Sequence, residues 1–227
     1  MQPPEISVIV PVHNQEKHIG RCMRSLLDQD IDRNLYELIL VDDGSTDRSA
    51  YAIDMFSDEI QIVSMPTNKG LPAALNAGIS NSLGRFVVRV DADDYVNARF
   101  LSILHLWLTE NPEIDAVACD YLLVDNNEEV IGRGSVEEQP IACGIMFRMN
   151  QLHEVGLYDE KFLLHEDLEF RFRFLSRHTI SRIPLPLYRY RRHGSNMTND
   201  LDRQEHFLSR LRDKHGDDAL RSATWIQ

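Results

Sequence analysis

What this chain lacks narrows its class first. No apolar stretch approaches the roughly 18 residues needed to span a bilayer, so no membrane-crossing helix is expected. The early apolar run Ile6–Val12 is too short for a secretory signal and is followed by polar residues. A cytoplasmic location is therefore expected, with peripheral contact at the inner face of the membrane left open. Cysteine is scarce. Cys22, Cys119 and Cys143 lie far apart without a Cys-x-x-Cys, which speaks against a disulfide framework or a thiolate metal site. Free, buried thiols are expected instead. Basic residues are outnumbered, with 24 Lys and Arg against 36 Asp and Glu in 227 residues, giving a net charge of −12. That balance argues against a nucleic-acid partner, which requires basic surface to neutralise phosphates. It does not exclude a phosphorylated small molecule, because a bound cation reverses the local sign. No Gly-x-Gly-x-x-Gly follows the first apolar run, which removes a dinucleotide-dependent dehydrogenase.

What is present alternates regularly. Apolar runs at 6–10, 36–41, 60–64 and 86–90 read as strands, the first stopped by Pro11. Helical spacing follows each, at 16–29, from Ser45 or Thr46 as cap to about 56, at 71–82 and at 99–110. Four strand–helix units imply an α/β fold, a Rossmann-like, mostly parallel sheet flanked by helices. Right-handed crossovers then put the C-terminal ends of all four strands on one edge, where open α/β sheets bind ligands. His13-Asn14, Asp42-Asp43, Pro66-Thr67-Asn68 and the acids of 91–94 are those strand ends. After about residue 115 the pattern becomes mixed. Strands are expected at 116–124 and 129–133, an apolar stretch at 141–149, a helix at 166–177 and a proline-interrupted strand at 179–190. The expected organisation is one domain over 1–200, with a nucleotide-binding half (1–115) and an acceptor half (116–200), and a helix-prone tail at 201–227. In that tail Phe207, Leu208 and Leu211 alternate with Arg210, Arg212 and Lys214, a pattern that suits packing or a membrane surface.

Asp91-Ala92-Asp93-Asp94 carries the most chemistry. Clustered carboxylates repel unless a cation sits among them, and an oxygen-only set suits a hard divalent ion, Mn²⁺ or Mg²⁺, shared with substrate phosphates. An isolated cluster of this kind is more often a solvated turn. Asp42-Asp43-Gly44-Ser45 supplies a carboxylate for a base N–H or a ribose hydroxyl, or equally a turn with a helix cap. Asn68-Lys69-Gly70-Leu71-Pro72 brings polar groups and a permissive glycine to a helix start, where the small residues after it also suit tight packing. Glu166-Asp167 opens a helix and would serve as an N-terminal cap.

These segments together resemble the family 2 inverting glycosyltransferases of GT-A fold. The resemblance rests on Val10-Pro11-x-x-Asn14, Val41-Asp42-Asp43-Gly44-Ser45-Thr46-Asp47, Asn68-Lys69-Gly70-x-x-x-Ala74-x-Asn76-x-Gly78 and Asp91-Ala92-Asp93-Asp94 in order. It continues through Gly144-x-Met146-Phe147-Arg148, Leu157-Tyr158-Asp159-Glu160-x-Phe162, Glu166-Asp167-x-Glu169-x-Arg171 and Tyr190-Arg191-x-His193, so it covers roughly residues 5–198. The resemblance implies transfer of a sugar from a nucleoside diphosphate donor, most often UDP, to a hydroxyl of a glycan or lipid-linked glycan. It places Asp43 on the base with Pro11, His13 and Glu16, and puts Lys69, Asn76, Asp91, Ala92 and Arg191 on the donor. Asp93, Asp91 and His193 would meet the metal, with Asp94 as an adjacent candidate, and Asp167 would be the general base. At His13 the chain departs from the family, which often has an aromatic residue there. Inverting transfer needs a carboxylate opposite the leaving diphosphate to take the acceptor proton. The helix dipole lowers the basicity of such a carboxylate at 167, so burial or the neighbouring Glu166 and Glu169 would have to oppose it. Two other readings are a nucleotide-sugar-binding module without catalysis and a nucleotidyltransferase. The second is disfavoured because the loop at 13–17 has one lysine and no glycine to hold a triphosphate.

Overall fold

Every residue of β1 (Ile6–Val12) is buried, as a strand covered on both faces requires. In the computed structural model, which describes residues 3–192 and 201–216, β1 lies between two parallel neighbours. On one side is β2 (Tyr36–Asp43), followed outward by β3 (Gln61–Met65); on the other is β4 (Phe86–Arg89). Three helices, α1 (Ile19–Leu27), α2 (Ser49–Asp54) and α3 (Leu71–Ser80), provide the crossovers. The α/β pattern legible in the sequence is the one observed. Its strand order, β3-β2-β1-β4, reverses direction between β1 and β4, and a crevice forms at such a switch point.

The same sheet continues into the second half. β6 (Ala116–Val124) and β8 (Ile145–Arg148) are antiparallel to each other, and β8 is antiparallel to β4. β9 (Ile180–Arg191) runs parallel to β6, the two-residue β5 (Tyr95–Val96) closes on β9, and β7 (Val130–Gly134) forms a hairpin with β6. α4 (Phe100–Glu110), α5 (Met149–Val155) and α6 (Glu166–Leu175) complete this half, and α7 (Leu201–His215) follows.

Several local expectations are corrected. β1 does not stop at Pro11 but pairs through Pro11↔Val41 and Val12↔Asp42. Its pairing with β4 ends at Ile9↔Arg89, so the proline falls where that neighbour has already left the ladder. β9 also absorbs two prolines, because its register with β6 slips between Cys119↔Ile183 and Asp120↔Pro186. Neither Ser45 nor Thr46 caps α2. The helix begins at Ser49, whose N–H donates to Asp47 Oδ1, while Ser45 Oγ is taken by Asn14 N–H. Of the two roles open to the tail, packing is observed for Leu211, which is fully buried in a small second core with Phe162 and Leu164. Residues 217–227 of the expected tail lie outside the described residues, as does the Phe207 side chain.

Close approach explains two glycines. A Cβ on Gly78 would lie 2.5 Å from Ile9 Cγ2, so α3 can sit on β1 only without one. Gly44, at φ +62°, turns the chain after β2, and a Cβ there would lie 2.6 Å from Asn68 N and 2.7 Å from Thr67 C. These neighbours are backbone and cannot rotate away. Gly44→Ala is expected to cost about 3 kcal/mol of stability, read as a lower urea midpoint at unchanged slope.

Candidate active site

At the switch point the loops after β1 and β2 are stitched together. Asn14, in the left-handed region at φ 54°, accepts from Thr46 N–H (2.8 Å) and Asp47 N–H (3.2 Å) through Oδ1. His13 Nδ1 lies 2.8 Å from the Asp43 carbonyl, and its Nε2 lies 3.1 Å from Asn14 Nδ2. A carbonyl can only accept, so the proton sits on Nδ1 and Nε2 accepts from the amide. The Asp43 carboxylate is buried, and its two oxygens accept from Lys69 N–H (2.7 Å) and Gly70 N–H (2.8 Å). This acid therefore holds the loop before α3 as well as facing the cleft.

The second wall follows β4. Side chains two apart on an extended chain share a face, so Arg89 reaches Asp91 directly. Nε and Nη2 of Arg89 donate to Oδ1 (2.6 Å) and Oδ2 (3.0 Å) of Asp91. Tyr188 rises from β9 beneath this turn and accepts the Asp91 N–H at 3.0 Å. Asp94 points inward. It is 2% exposed, accepts Arg191 N–H at 2.7 Å, and has the Cys143 thiol 3.8 Å away. Burial, then the neighbouring Asp93 and Asp91, push its carboxyl well above the ordinary range. Asp93 is half-buried on the cleft side.

The third wall is the start of α6. His165 precedes it in the left-handed region (φ 59°), and Glu166, Asp167 and Glu169 occupy its first turn. Glu166 is buried and accepts from Arg89 Nη1 at 3.0 Å. Burial pushes its carboxyl up to about 7, with Asp167 adding to the shift and Arg89 opposing it. Asp167 accepts from Arg171 Nη2 at 2.8 Å, one turn along the helix. Glu169 faces away from the cleft and is fully buried among Arg173, Lys214 and His215, tying α6 to α7. Those partners hold its carboxyl below the usual range despite burial.

The three walls enclose a cleft of about 640 Å³. Pro11, His13, Asp43, Lys69, Asp91, Ala92, Asp93 and Asp167, all singled out in the sequence, line it. Three others do not. Glu16 is exposed outside the lining, where its carboxylate accepts Arg48 N–H. Asn76 bonds Tyr158 N–H, the Tyr158 carbonyl and Glu160, tying α3 to the 158–160 loop. Arg191 is buried behind the acidic turn and donates to the carbonyls of Asp93 and Asp125. His193 lies outside the described residues. The sequence reading missed Arg89, and it quoted Arg171 only within the motif 166–171 without giving it a role. Each had a signal, since Arg89-x-Asp91 is a same-face pair on a strand and Asp167-x-x-x-Arg171 a one-turn pair on a helix.

The donor set fits a hard divalent ion. Asp91 and Asp94 place oxygens within 4.8 Å of one another and of the Cys143 sulfur, with Asp93 beside them on the cleft. Burial pushes the Cys143 thiol well up, and a hard divalent ion prefers carboxylate oxygen to sulfur. Among the described residues no helix is long and apolar enough to cross a membrane.

A family description, Glycosyl transferase family 2, matches residues 7–168. The EpsH protein of Bacillus subtilis (strain 168) is 29% identical over 223 residues, which is 87% of this chain and 63% of that one. Among solved structures, Staphylococcus aureus TarS 1–349 in complex with UDP superposes at TM-score 0.75 and 22% identity, covering 92% of this chain and 65% of TarS 1–349. The mannosyltransferase PcManGT of Pyrobaculum calidifontis, in complex with GDP-Man and Mn²⁺, superposes at 0.74 and 20% identity, covering 97% and 65%. The chain thus spans a little under two thirds of each of these three proteins, and the two structural likenesses establish a shared fold.

Proposed function

This chain belongs to glycosyl transferase family 2, and from that premise we propose that it transfers a sugar from a nucleoside diphosphate donor to an acceptor hydroxyl with inversion. One observation carries the proposal. Asp167, at the start of α6, lines the same cleft as the strand-end acids Asp91 and Asp93, which supports reading one wall as the base and the other as the seat for the leaving diphosphate. UDP is the favoured donor nucleotide, and the acceptor hydroxyl belongs to a glycan or lipid-linked glycan. The reaction takes place on the cytoplasmic side, with the membrane's inner face as one setting.

In this reading Pro11, His13 and Asp43 flank the base, Asp91 accepts from ribose hydroxyls, and Lys69 and Ala92 line the donor. Asp93, with Asp91 next to it, holds the divalent ion, which when bound offsets the charge on the departing diphosphate. Asp167 takes the proton of the acceptor hydroxyl as that oxygen bonds the anomeric carbon. The bond from that carbon to the diphosphate breaks on the opposite side. Arg171 keeps the Asp167 carboxylate aimed, and Asn76 and Arg191 support the walls from behind. A carboxylate at Asp167 within the cleft that Asp91 and Asp93 also line supports transfer over binding alone.

Thermal shift with uridine and guanosine nucleotides and their sugars, with Mn²⁺ or with chelator, tests this. UDP is expected to raise the midpoint, and more so with Mn²⁺. A ligand at a hundredfold excess over its Kd adds about 2.7 kcal/mol, a readily measured shift. If no nucleotide moves the midpoint, the donor assignment fails.

A further inference from the structure

We infer that Arg89 is a positioning residue that couples the donor wall of the cleft to the catalytic-base wall through one guanidinium, linking Asp91 to Glu166. The inference rests on the reading that Asp91 meets the donor and Asp167 the acceptor.

The geometry is specific to arginine. Its two outer contacts with Asp91 form a fork-to-fork pair, and the remaining Nη1 reaches Glu166 Oε1 at 3.0 Å, so each nitrogen of the head has a carboxylate partner. A lysine presents one point charge and cannot occupy both sites at once. The side chains of Arg89 and Glu166 are 9% and 6% exposed, so water does not substitute for either partner. The Arg89 backbone is also held: its carbonyl accepts from Gly144 N–H at 3.1 Å, and Val90 N–H donates to Ile9. The head therefore projects from a rigid strand end.

Glu166 is the first residue of α6, and Asp167 is the second. Holding Glu166 against β4 sets where the N-terminus of α6 stands, and with it the distance from Asp167 to anything seated at Asp91. Arg171 aims the Asp167 carboxylate from within α6. Reactions of this type depend steeply on reactant placement, so a loosened α6 loses rate even when the donor still binds. The pairing also gives Asp91 a fixed orientation, both of its oxygens being anchored on one side by the guanidinium.

Glu166→Leu separates the two jobs. It removes the α6 contact, keeps the side-chain volume and leaves the Arg89–Asp91 pair intact. UDP binding, followed by calorimetry, is expected to stay within threefold of the native protein, while kcat for donor turnover falls at least thirtyfold. Arg89→Met is expected to weaken UDP binding about tenfold as well as to lower kcat. Arg89→Lys, which keeps the charge but not the fork, should restore UDP binding more than kcat. The double variant Arg89→Met/Glu166→Leu should be no slower than Arg89→Met alone, because both changes break one bridge. Folding is checked by thermal midpoint, and if Arg89→Met does not fold, Glu166→Leu decides alone. Native turnover in folded Glu166→Leu overturns the inference, and so do multiplicative losses in the double variant. A native protein that binds no nucleotide would instead sink the functional reading beneath it.

Discussion

Asp167→Asn is expected to abolish transfer while leaving the donor bound. Asparagine has nearly the same shape, and its amide oxygen can still accept from Arg171 Nη2, which now lies 2.8 Å from Oδ2. The cleft should keep its form. What disappears is an oxygen able to take the acceptor proton, and positioned acid–base groups are worth about 10²–10⁴ in rate. A loss of about 10³ in kcat is expected, with UDP affinity by calorimetry within a fewfold of native. Losing the charge beside buried Arg171 should also lower stability by about 1–3 kcal/mol, visible as a reduced thermal midpoint. Transfer within tenfold of the native rate would mean that another group takes the proton.

Asp93→Ala should act on the donor instead. Asp94 accepts Arg191 N–H and Asp91 is paired to Arg89, whereas Asp93 lines the cleft and is the carboxylate that the proposed function gives to the divalent ion. Its removal is expected to weaken UDP binding about 100-fold in the presence of Mn²⁺. Without metal the native protein and the variant should bind alike, because the lost free energy is that of ion-bridged phosphate. Calorimetric titration of UDP with and without Mn²⁺ reads this directly. A native protein whose UDP affinity ignores Mn²⁺ and chelator would refute the metal role. Asp94→Ala is expected to differ in kind, lowering stability by freeing the β9 backbone.

Much of this site was legible in the letters. β6 appears where an apolar run at 116–124 was read, and α4 starts one residue later than expected. Long elements declare themselves because burial of one face repeats many times. β5, with two residues, and α5, with seven and only Leu152 buried, offered no repeat to detect. Asp43 was expected to serve the nucleotide base, yet both of its oxygens already accept from Lys69 and Gly70 N–H. Backbone donors have no letter, so a sequence does not reveal how much of a carboxylate is already engaged. Arg89 was passed over for a related reason. Its partner Glu166 is 77 residues away, and only the seating of α6 over β4 brings them together.

The sequence by itself determined the fold class, the family and the set of acids that share one sheet edge. Alternating strands and helices with right-handed crossovers leave the strand ends no other place to converge. The tertiary structure alone decided which donors engage those acids. It set Asp94 against Arg191 N–H and Asp91 against a guanidinium, and it left Asn76, Glu16 and Arg191 out of the cleft lining. The reason is physical: strand order follows from local chirality and burial, whereas a carboxylate's role depends on which donors reach its oxygens from distant parts of the chain.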